Sequence, residues 1–224
     1  MDTVIFDLDD TLANTWQASG KANRKLFGFF VKRRMFRLVK AMIFRKNEEF
    51  IANNMDILLK DSHQIIEAFI RTFYPDIEDD IIKEAVCFFD KEFYKRFMLT
   101  EGALETLRHL KGKYRLCIVT DGQEWDQKRK IEHLGIGDYF DKIIIAGAVG
   151  APKPEPNNFL LALSGNEKNI YVVGDRIETD IVGGKKIGEV TILFKNGFFN
   201  YDRESQVEPS HIIDNLTDLM EILS

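Results

Sequence analysis

Five short runs of aliphatic, β-branched and aromatic residues, spaced by stretches of helical periodicity, constrain this chain more than any other feature. They are Thr3–Phe6, Arg115–Val119, Lys142–Ile145, Ile170–Val173 and Val190–Phe194. Strands buried on both faces read as continuous apolar runs, and parallel strands need a crossover that a helix usually supplies. The segments Ala103–Leu110, Gln127–Leu134, Asn157–Leu163 and Ile181–Ile187 have the apolar spacing of such helices, and Leu216–Leu223 reads as a last one. The pattern predicts an α/β fold built on a parallel sheet with helices on both faces.

Between the first and second runs the period is helical throughout. Phe27, Val31, Met35, Leu38 and Met42 mark one segment, and Ile81, Ala85, Phe88, Phe89 and Phe93 another. Glu48–Leu59 and Ser62–Phe73 read as two more helices, the second stopped by Tyr74-Pro75. The expected organisation is a Rossmann-like core of residues 1–13 and 99–224 with an all-helical cap inserted at 14–98.

Composition excludes several classes. A chain of 224 residues with 45% hydrophobic and 30% charged residues is neither disordered nor collagen-like. A net charge of −5 argues against nonspecific nucleic-acid binding as its main role. Two cysteines far apart in sequence, Cys87 and Cys117, make no disulfide scaffold and no CxxC site. Met1-Asp2-Thr3 leads into a strand without the basic and apolar regions of a signal peptide, and no apolar run reaches the roughly 18 residues of a membrane span. A cytoplasmic location is therefore expected. No motif sets an oligomeric state.

In open parallel sheets, ligands bind outside the carboxyl ends of the strands. The polar residues of this chain gather there. The first strand ends in Asp7-Leu8-Asp9-Asp10, the second in Thr120-Asp121-Gly122 and the fourth in Gly174-Asp175, with Asp180 further along that loop and Lys153 after the third strand. Clustered carboxylates repel one another, and a hard divalent cation is the usual remedy. Oxygen ligands without His or Cys suit Mg²⁺ better than zinc. Phosphate fits such a site, because Mg²⁺ bridges phosphoryl oxygens, Thr120 and the glycine-containing turn donate to them, and Lys153 neutralises the remainder. A carboxylate beside phosphorus can act as nucleophile and form an aspartyl-phosphate.

Other readings of these residues fail on spacing. An EF-hand loop starting at Asp7 needs Gly at position 12 and Glu at position 18, where Leu12 and Ala18 stand. Gly183-Gly184-Lys185-Lys186 lacks the spacing and the following Ser or Thr of a P-loop, and reads instead as glycines that allow close helix packing. His63, His109, His133 and His211 share no motif and read as surface or structural residues.

Asp7-Leu8-Asp9-Asp10-Thr11, Thr120-Asp121-Gly122, Lys153-Pro154 and Gly174-Asp175-Arg176-Ile177-Glu178-Thr179-Asp180 resemble, in order, the four motifs of the haloacid dehalogenase superfamily. The likeness covers the whole chain, and the helical insert resembles the cap of the branch that includes phosphoglycolate phosphatase and β-phosphoglucomutase. The resemblance implies Asp7 as nucleophile, Asp9 as general acid/base, and Thr120, Asp121, Gly122 and Lys153 around the phosphate. It implies Mg²⁺ held by Asp7, Asp175 and the Asp9 carbonyl, with Asp180 helping through a ligand water or by orienting Lys153. Many relatives have Gly where Asp10 stands. Dehalogenases of the family lack a carboxylic acid two residues after the nucleophile, whereas Asp9 is present here and an alkoxide leaving phosphorus needs its proton. The implied activity is that of a Mg²⁺-dependent phosphatase acting on a small phosphorylated metabolite. The alternatives are a phosphomutase of the β-phosphoglucomutase type and a non-catalytic or membrane-surface binding protein that keeps the fold.

Residues 11–47 carry ten basic side chains (Lys21, Arg24, Lys25, Lys32, Arg33, Arg34, Arg37, Lys40, Arg45 and Lys46) and no acid, which leaves 21 basic against 36 acidic residues elsewhere. A solvated helix face, with Phe27, Phe30, Phe36 and Phe44 packing inward, is the simplest expectation. A positive lid attracting anionic substrates comes next, and contact with an anionic membrane surface or a nucleic acid last.

Overall fold

The computed structural model describes residues 1–44, 62–195 and 207–224. The predicted helix Glu48–Leu59, and Arg45 and Lys46, lie outside the described residues. The chain divides into two compact units, Met1–Trp16 with Met98–Ser224, and Gln17–Phe97.

The first unit holds a parallel sheet in the order β3-β2-β1-β4-β5-β6, formed by β1 (Thr3–Phe6), β2 (Arg115–Thr120), β3 (Lys142–Ile145), β4 (Ile170–Gly174), β5 (Val190–Phe194) and β6 (His211–Ile213). The α/β expectation holds. β1 is central and wholly buried, which is why its side chains are apolar without alternation. Beneath one face, Ile5, Cys117, Val119, Ile144, Ile170 and Val172 join Phe159 and Ala162 of the helix Pro156–Ala162 in one apolar cluster. Gly183 and Gly184 are buried where a Cβ would strike the Phe159 ring and the Thr191 and Val172 side chains, so these glycines do permit close packing of helix on sheet.

Register fixes where the acids fall. Phe6 stands opposite Ile118 of β2 and Val173 of β4. The residues after Phe6, Ile118 and Val173 therefore emerge together at one sheet edge, and the Asp7 N–H donates to the Val173 carbonyl at 2.9 Å. The loop beyond folds back tightly, with Leu12 and Ala13 N–H both donating to the Leu8 carbonyl. Asp10 sits at φ +63° within it. That left-handed conformation suits glycine and is tolerated by Asp, which gives a physical reason for either residue at this position.

The second unit differs in detail from its predicted periodicity. The segment marked by Phe27 to Met42 is two helices, Thr15–Lys32 and Phe36–Ile43, separated by Arg34 at φ +56°. The buried face of the first is Ala18, Ala22, Leu26 and Phe30, while Val31 is exposed. Small alanines carry that stripe, and a search for large apolar residues passes over them. Phe30 packs inward as expected, but Phe36 and Phe44 do not, being 63% and 64% exposed. The helices Ser62–Phe73 and Asp79–Tyr94 bury Ile66, Phe69 and Ile70, and Ile82, Ala85, Phe89 and Phe93. Part of the basic stretch has partners within the unit: Arg33 pairs with Glu84, and the Arg37 guanidinium lies 5.7 Å from the Tyr74 ring centre. His63 lies 2.9 Å from the Asp90 carboxylate, a structural role, and His109, His133 and His211 are exposed. No helix among the described residues is long and apolar enough to cross a membrane.

Candidate active site

Asp7, Asp175 and Asp180 are brought together at the carboxyl edge of β1 and β4, each buried, with one carboxylate oxygen of each within 4.8 Å of the others. Asp180 reaches the group because a single turn of π-helix, Ile177–Ile181, follows β4. Its Oδ2 accepts from the Arg176 N–H at 3.1 Å. Such widened turns are common at functional sites. Gly174 is buried directly against the Asp180 carboxylate, where any Cβ would collide, so Asp175 and Asp180 converge only with glycine before them.

Lys153 arrives from the turn that follows β3 and the short helix Ala146–Val149. Its Nζ lies 2.5 Å from Asp7 Oδ1 and 2.7 Å from Asp180 Oδ1, and it is itself buried. Its N–H donates to Asp121 Oδ1 at 2.9 Å, which ties the turn to the end of β2. Thr120 is buried at that strand end, and Gly122 follows at φ +104°. Thr11 Oγ1 donates to Asp175 Oδ1 at 3.5 Å.

The carboxylate of Asp9 lies outside the acidic group and has its own donors. Thr15 Oγ1 donates to Oδ1 at 2.5 Å and Gln127 Nε2 to Oδ2 at 2.8 Å, while Lys130 Nζ lies 3.1 and 3.2 Å from the two oxygens. Its main-chain carbonyl is the atom that the sequence motif assigns to a metal. Gln127 and Lys130 are site residues that motif reading passed over. The helix that carries them, Glu124–Leu134, begins three residues earlier than its apolar spacing predicts, and its buried face is polar: Asp126, Gln127 and Lys130 beside Ile131. Their spacing just past Thr120-Asp121-Gly122 was the available signal.

Burial pushes Asp7 up to about 7, with Lys153 opposing and Asp180 adding to the rise. Burial, then Asp7 and Asp180, push Asp175 up to about 9. Asp10 is raised to about 6, mainly by burial. Around Asp9 burial is outweighed by Lys130 and by the bonds from Thr15 and Gln127, which hold its carboxyl below the usual range. Burial works against the charge of Lys153, but Asp180 and Asp7 overcome it and hold the ammonium above its ordinary value.

Three buried carboxylates stand together and one buried ammonium contacts two of them, so negative charge exceeds positive in a buried group of oxygen ligands. That donor set fits a hard divalent cation. A test follows from the sign of the shifts. Carboxyls raised in the folded state stabilise it below their unfolded values, near 4, and that stability is lost as pH climbs through about 7 and about 9. In EDTA the melting temperature should therefore fall between pH 6 and 9, and added Mg²⁺ should raise it most at the alkaline end. At a hundredfold excess over its dissociation constant the ion contributes about 2.7 kcal/mol, or roughly 5–10 °C for a chain of this length. A Mg²⁺ shift that is equal at pH 6 and pH 9, or absent at both, would remove these carboxylates from any cation site.

Comparison with known proteins gives the family. The family model of haloacid dehalogenase-like hydrolases matches residues 4–194, and the chain belongs to that family. It is 27% identical over 231 residues to a glyceraldehyde 3-phosphate phosphatase of Pyrococcus furiosus, covering 98% of this chain and 92% of that one. To the N-acylneuraminate-9-phosphatase of Mus musculus it is 25% identical, again over 98% and 92%. The crystal structure of a phosphatase of the same family from Thermococcus onnurineus superimposes with a TM-score of 0.62 at 26% identity, covering 100% of this chain and 98% of that one. The chain is a phosphatase of this family.

Proposed function

We propose that this phosphatase is Mg²⁺-dependent and hydrolyses a small phosphorylated metabolite through an aspartyl-phosphate on Asp7. The observation that carries the reading is the buried set of Asp7, Asp175 and Asp180, with the Lys153 ammonium on Asp7 and Asp180. The carboxylates of Asp7 and Asp175 and the Asp9 carbonyl would hold the ion, with Asp180 orienting Lys153. When bound, Mg²⁺ neutralises the carboxylates and draws charge from the phosphoryl oxygens. Lys153 and Thr120 bind those oxygens.

In the first step an Asp7 carboxylate oxygen bonds to phosphorus as the ester P–O bond breaks, and the Asp9 proton passes to the departing alkoxide. In the second, Asp9 takes a proton from water, the water oxygen bonds to phosphorus, and the acyl-phosphate bond breaks to free phosphate and Asp7. Asp9 leaves the cycle protonated, as it entered, and because burial is outweighed by Lys130, Thr15 and Gln127, which hold the free carboxyl below the usual range, it takes up that proton as the ester binds. Phosphorus and not carbon is the electrophile in this reading because a halide departs without a proton and has no use for Asp9.

The test is phosphate release across triose and hexose phosphates, phosphorylated sugar acids and nucleoside monophosphates, with Asp7→Asn as the blank. At least one alkyl phosphate should turn over with kcat/KM on the order of 10⁴ M⁻¹s⁻¹ or better. EDTA should abolish that activity and Mg²⁺ restore it. Turnover that requires a sugar bisphosphate and returns an isomeric sugar phosphate would establish the mutase instead. No release from any ester would return the chain to a non-catalytic role.

A further inference from the structure

The helix Glu124–Leu134 is mostly polar, yet Asp126, Gln127 and Lys130 are all buried. Polar side chains taken out of water cost free energy unless they find partners. Here the partners converge on one residue. Lys130 Nζ contacts both oxygens of Asp9, and Gln127 Nε2 donates to Asp9 Oδ2 while also donating to the Asp121 carbonyl at 2.6 Å. Asp126 Oδ2 holds the Lys130 ammonium from its other side at 3.2 Å.

Two details show that the local sequence yields to this arrangement. Gly122 is at φ +104°, and a Cβ there would lie 2.7 Å from Gln127 Nε2, so the turn before the helix leaves room for the amide. Gln127 Oε1 is buried without a hydrogen-bond partner among the described residues. Against the cost of that unpaired oxygen stand the two bonds that Nε2 donates, to Asp9 and to the Asp121 carbonyl.

We propose that Lys130 and Gln127 are positioning residues for Asp9, fixing its carboxyl in the orientation from which it reaches the oxygen leaving phosphorus on Asp7. The inference rests on the general acid/base reading of Asp9 given above. Asp9 stands in a loop, with part of its side chain open to solvent, and a carboxylate there has several rotamers available. Spaced three apart on one helix face, Gln127 and Lys130 meet it side by side. Thr15 supplies the third donor, so both oxygens are fixed. Through the Asp121 carbonyl the same amide ties Asp9 to the end of β2, and the Asp121 carboxylate in turn holds the Lys153 N–H. The acid is thereby referenced to the groups that bind phosphate.

The test compares Lys130→Met, Gln127→Met and Lys130→Arg with wild type on one alkyl phosphate and one aryl phosphate in Mg²⁺. An aryl leaving group needs little protonation, so its kcat/KM, which ends at formation of the aspartyl-phosphate, reports chemistry that does not depend on Asp9, whereas kcat of either ester also contains the Asp9-dependent second step. Lys130→Met should lower kcat/KM on the alkyl ester by about tenfold to a hundredfold and should leave kcat/KM on the aryl ester within about threefold. Gln127→Met should show the same bias at smaller size, and Lys130→Arg should recover most of the loss. In an Asp9→Asn background, Lys130→Met should have no further effect on kcat, because the residue acts through Asp9.

If Asp9→Asn itself lowers kcat/KM of both esters equally, the general-acid reading falls and the inference with it. If Asp9→Asn lowers kcat/KM of the alkyl ester selectively while Lys130→Met and Gln127→Met keep the wild-type ratio of the two kcat/KM values, the inference alone is overturned. An equal loss of kcat/KM on both esters in the helix variants, or a full Lys130→Met effect in the Asp9→Asn background, also overturns it, since either marks a purely structural role. Should Lys130→Met fail to fold, with Asp126 left buried beside Asp9, the ratio measured in Gln127→Met decides.

Discussion

Replacing Asp7 with Asn is expected to abolish turnover while the fold survives. The amide is nearly isosteric but has no anionic oxygen to attack phosphorus, so kcat should fall by at least about a thousandfold, roughly 4 kcal/mol of barrier. Stability should move the other way. Burial and Asp180 push Asp7 up to about 7, so at pH 8 its ionised form costs the folded state free energy that an amide does not. Lys153 keeps Asp180 as a partner in the variant. The melting temperature in EDTA at pH 8 should thus hold or rise, while the Mg²⁺-induced shift shrinks. More than about 1% of the wild-type rate in a correctly folded Asp7→Asn would remove Asp7 as the nucleophile.

Lys153→Met should lose both activity and stability. The ammonium is the buried cation shared by Asp7 and Asp180, and a methionine of similar length leaves two carboxylates facing each other in a dry pocket. Removing one partner of a buried ion pair costs about 3–5 kcal/mol. The melting temperature in EDTA should drop by roughly 10 °C and recover in part with Mg²⁺, which can replace some of the missing positive charge. Because Lys153 is placed to neutralise phosphoryl oxygens in both the bound ester and the transition state, kcat/KM should fall by about a hundredfold to a thousandfold. Calorimetry and steady-state kinetics on one preparation measure both. Unchanged kcat/KM in Mg²⁺ would take Lys153 out of the phosphate site whatever the stability shows.

The core of the site was legible because its residues stand where strands end. Continuous apolar runs located five strands, and a parallel sheet has one edge at which their carboxyl ends meet, so Asp7, Thr120, Lys153 and Asp175 could be placed together before any coordinates. β6 was not legible. It has three residues, of which His211 and Ile212 are exposed and only Ile213 is buried, so an edge strand of that length leaves no periodic trace. The turn Ile177–Ile181 was expected to begin a helix only at Ile181, because the residues before it serve Asp180 and not the apolar core. Gln127 and Lys130 escaped for a more general reason. Hydropathy patterns equate polar with solvated, and a helix whose polar face is buried against a charged site inverts that rule. The exposed Phe36 and Phe44 invert it in the other direction.

The aspartyl-phosphate is the central claim, and it can be trapped. Asp9→Asn removes the base of the second step while leaving an aryl phosphate able to complete the first, since a phenolate departs with little protonation. Acid quenching during turnover of an aryl phosphate in Mg²⁺, followed by mass spectrometry of the peptide containing residues 1–21, should find one phosphoryl group on Asp7. It should accumulate in Asp9→Asn beyond the wild-type level and be absent from Asp7→Asn. Phosphate release with no phosphoryl group on Asp7 at any quench time, or with the group on another residue, would contradict the account.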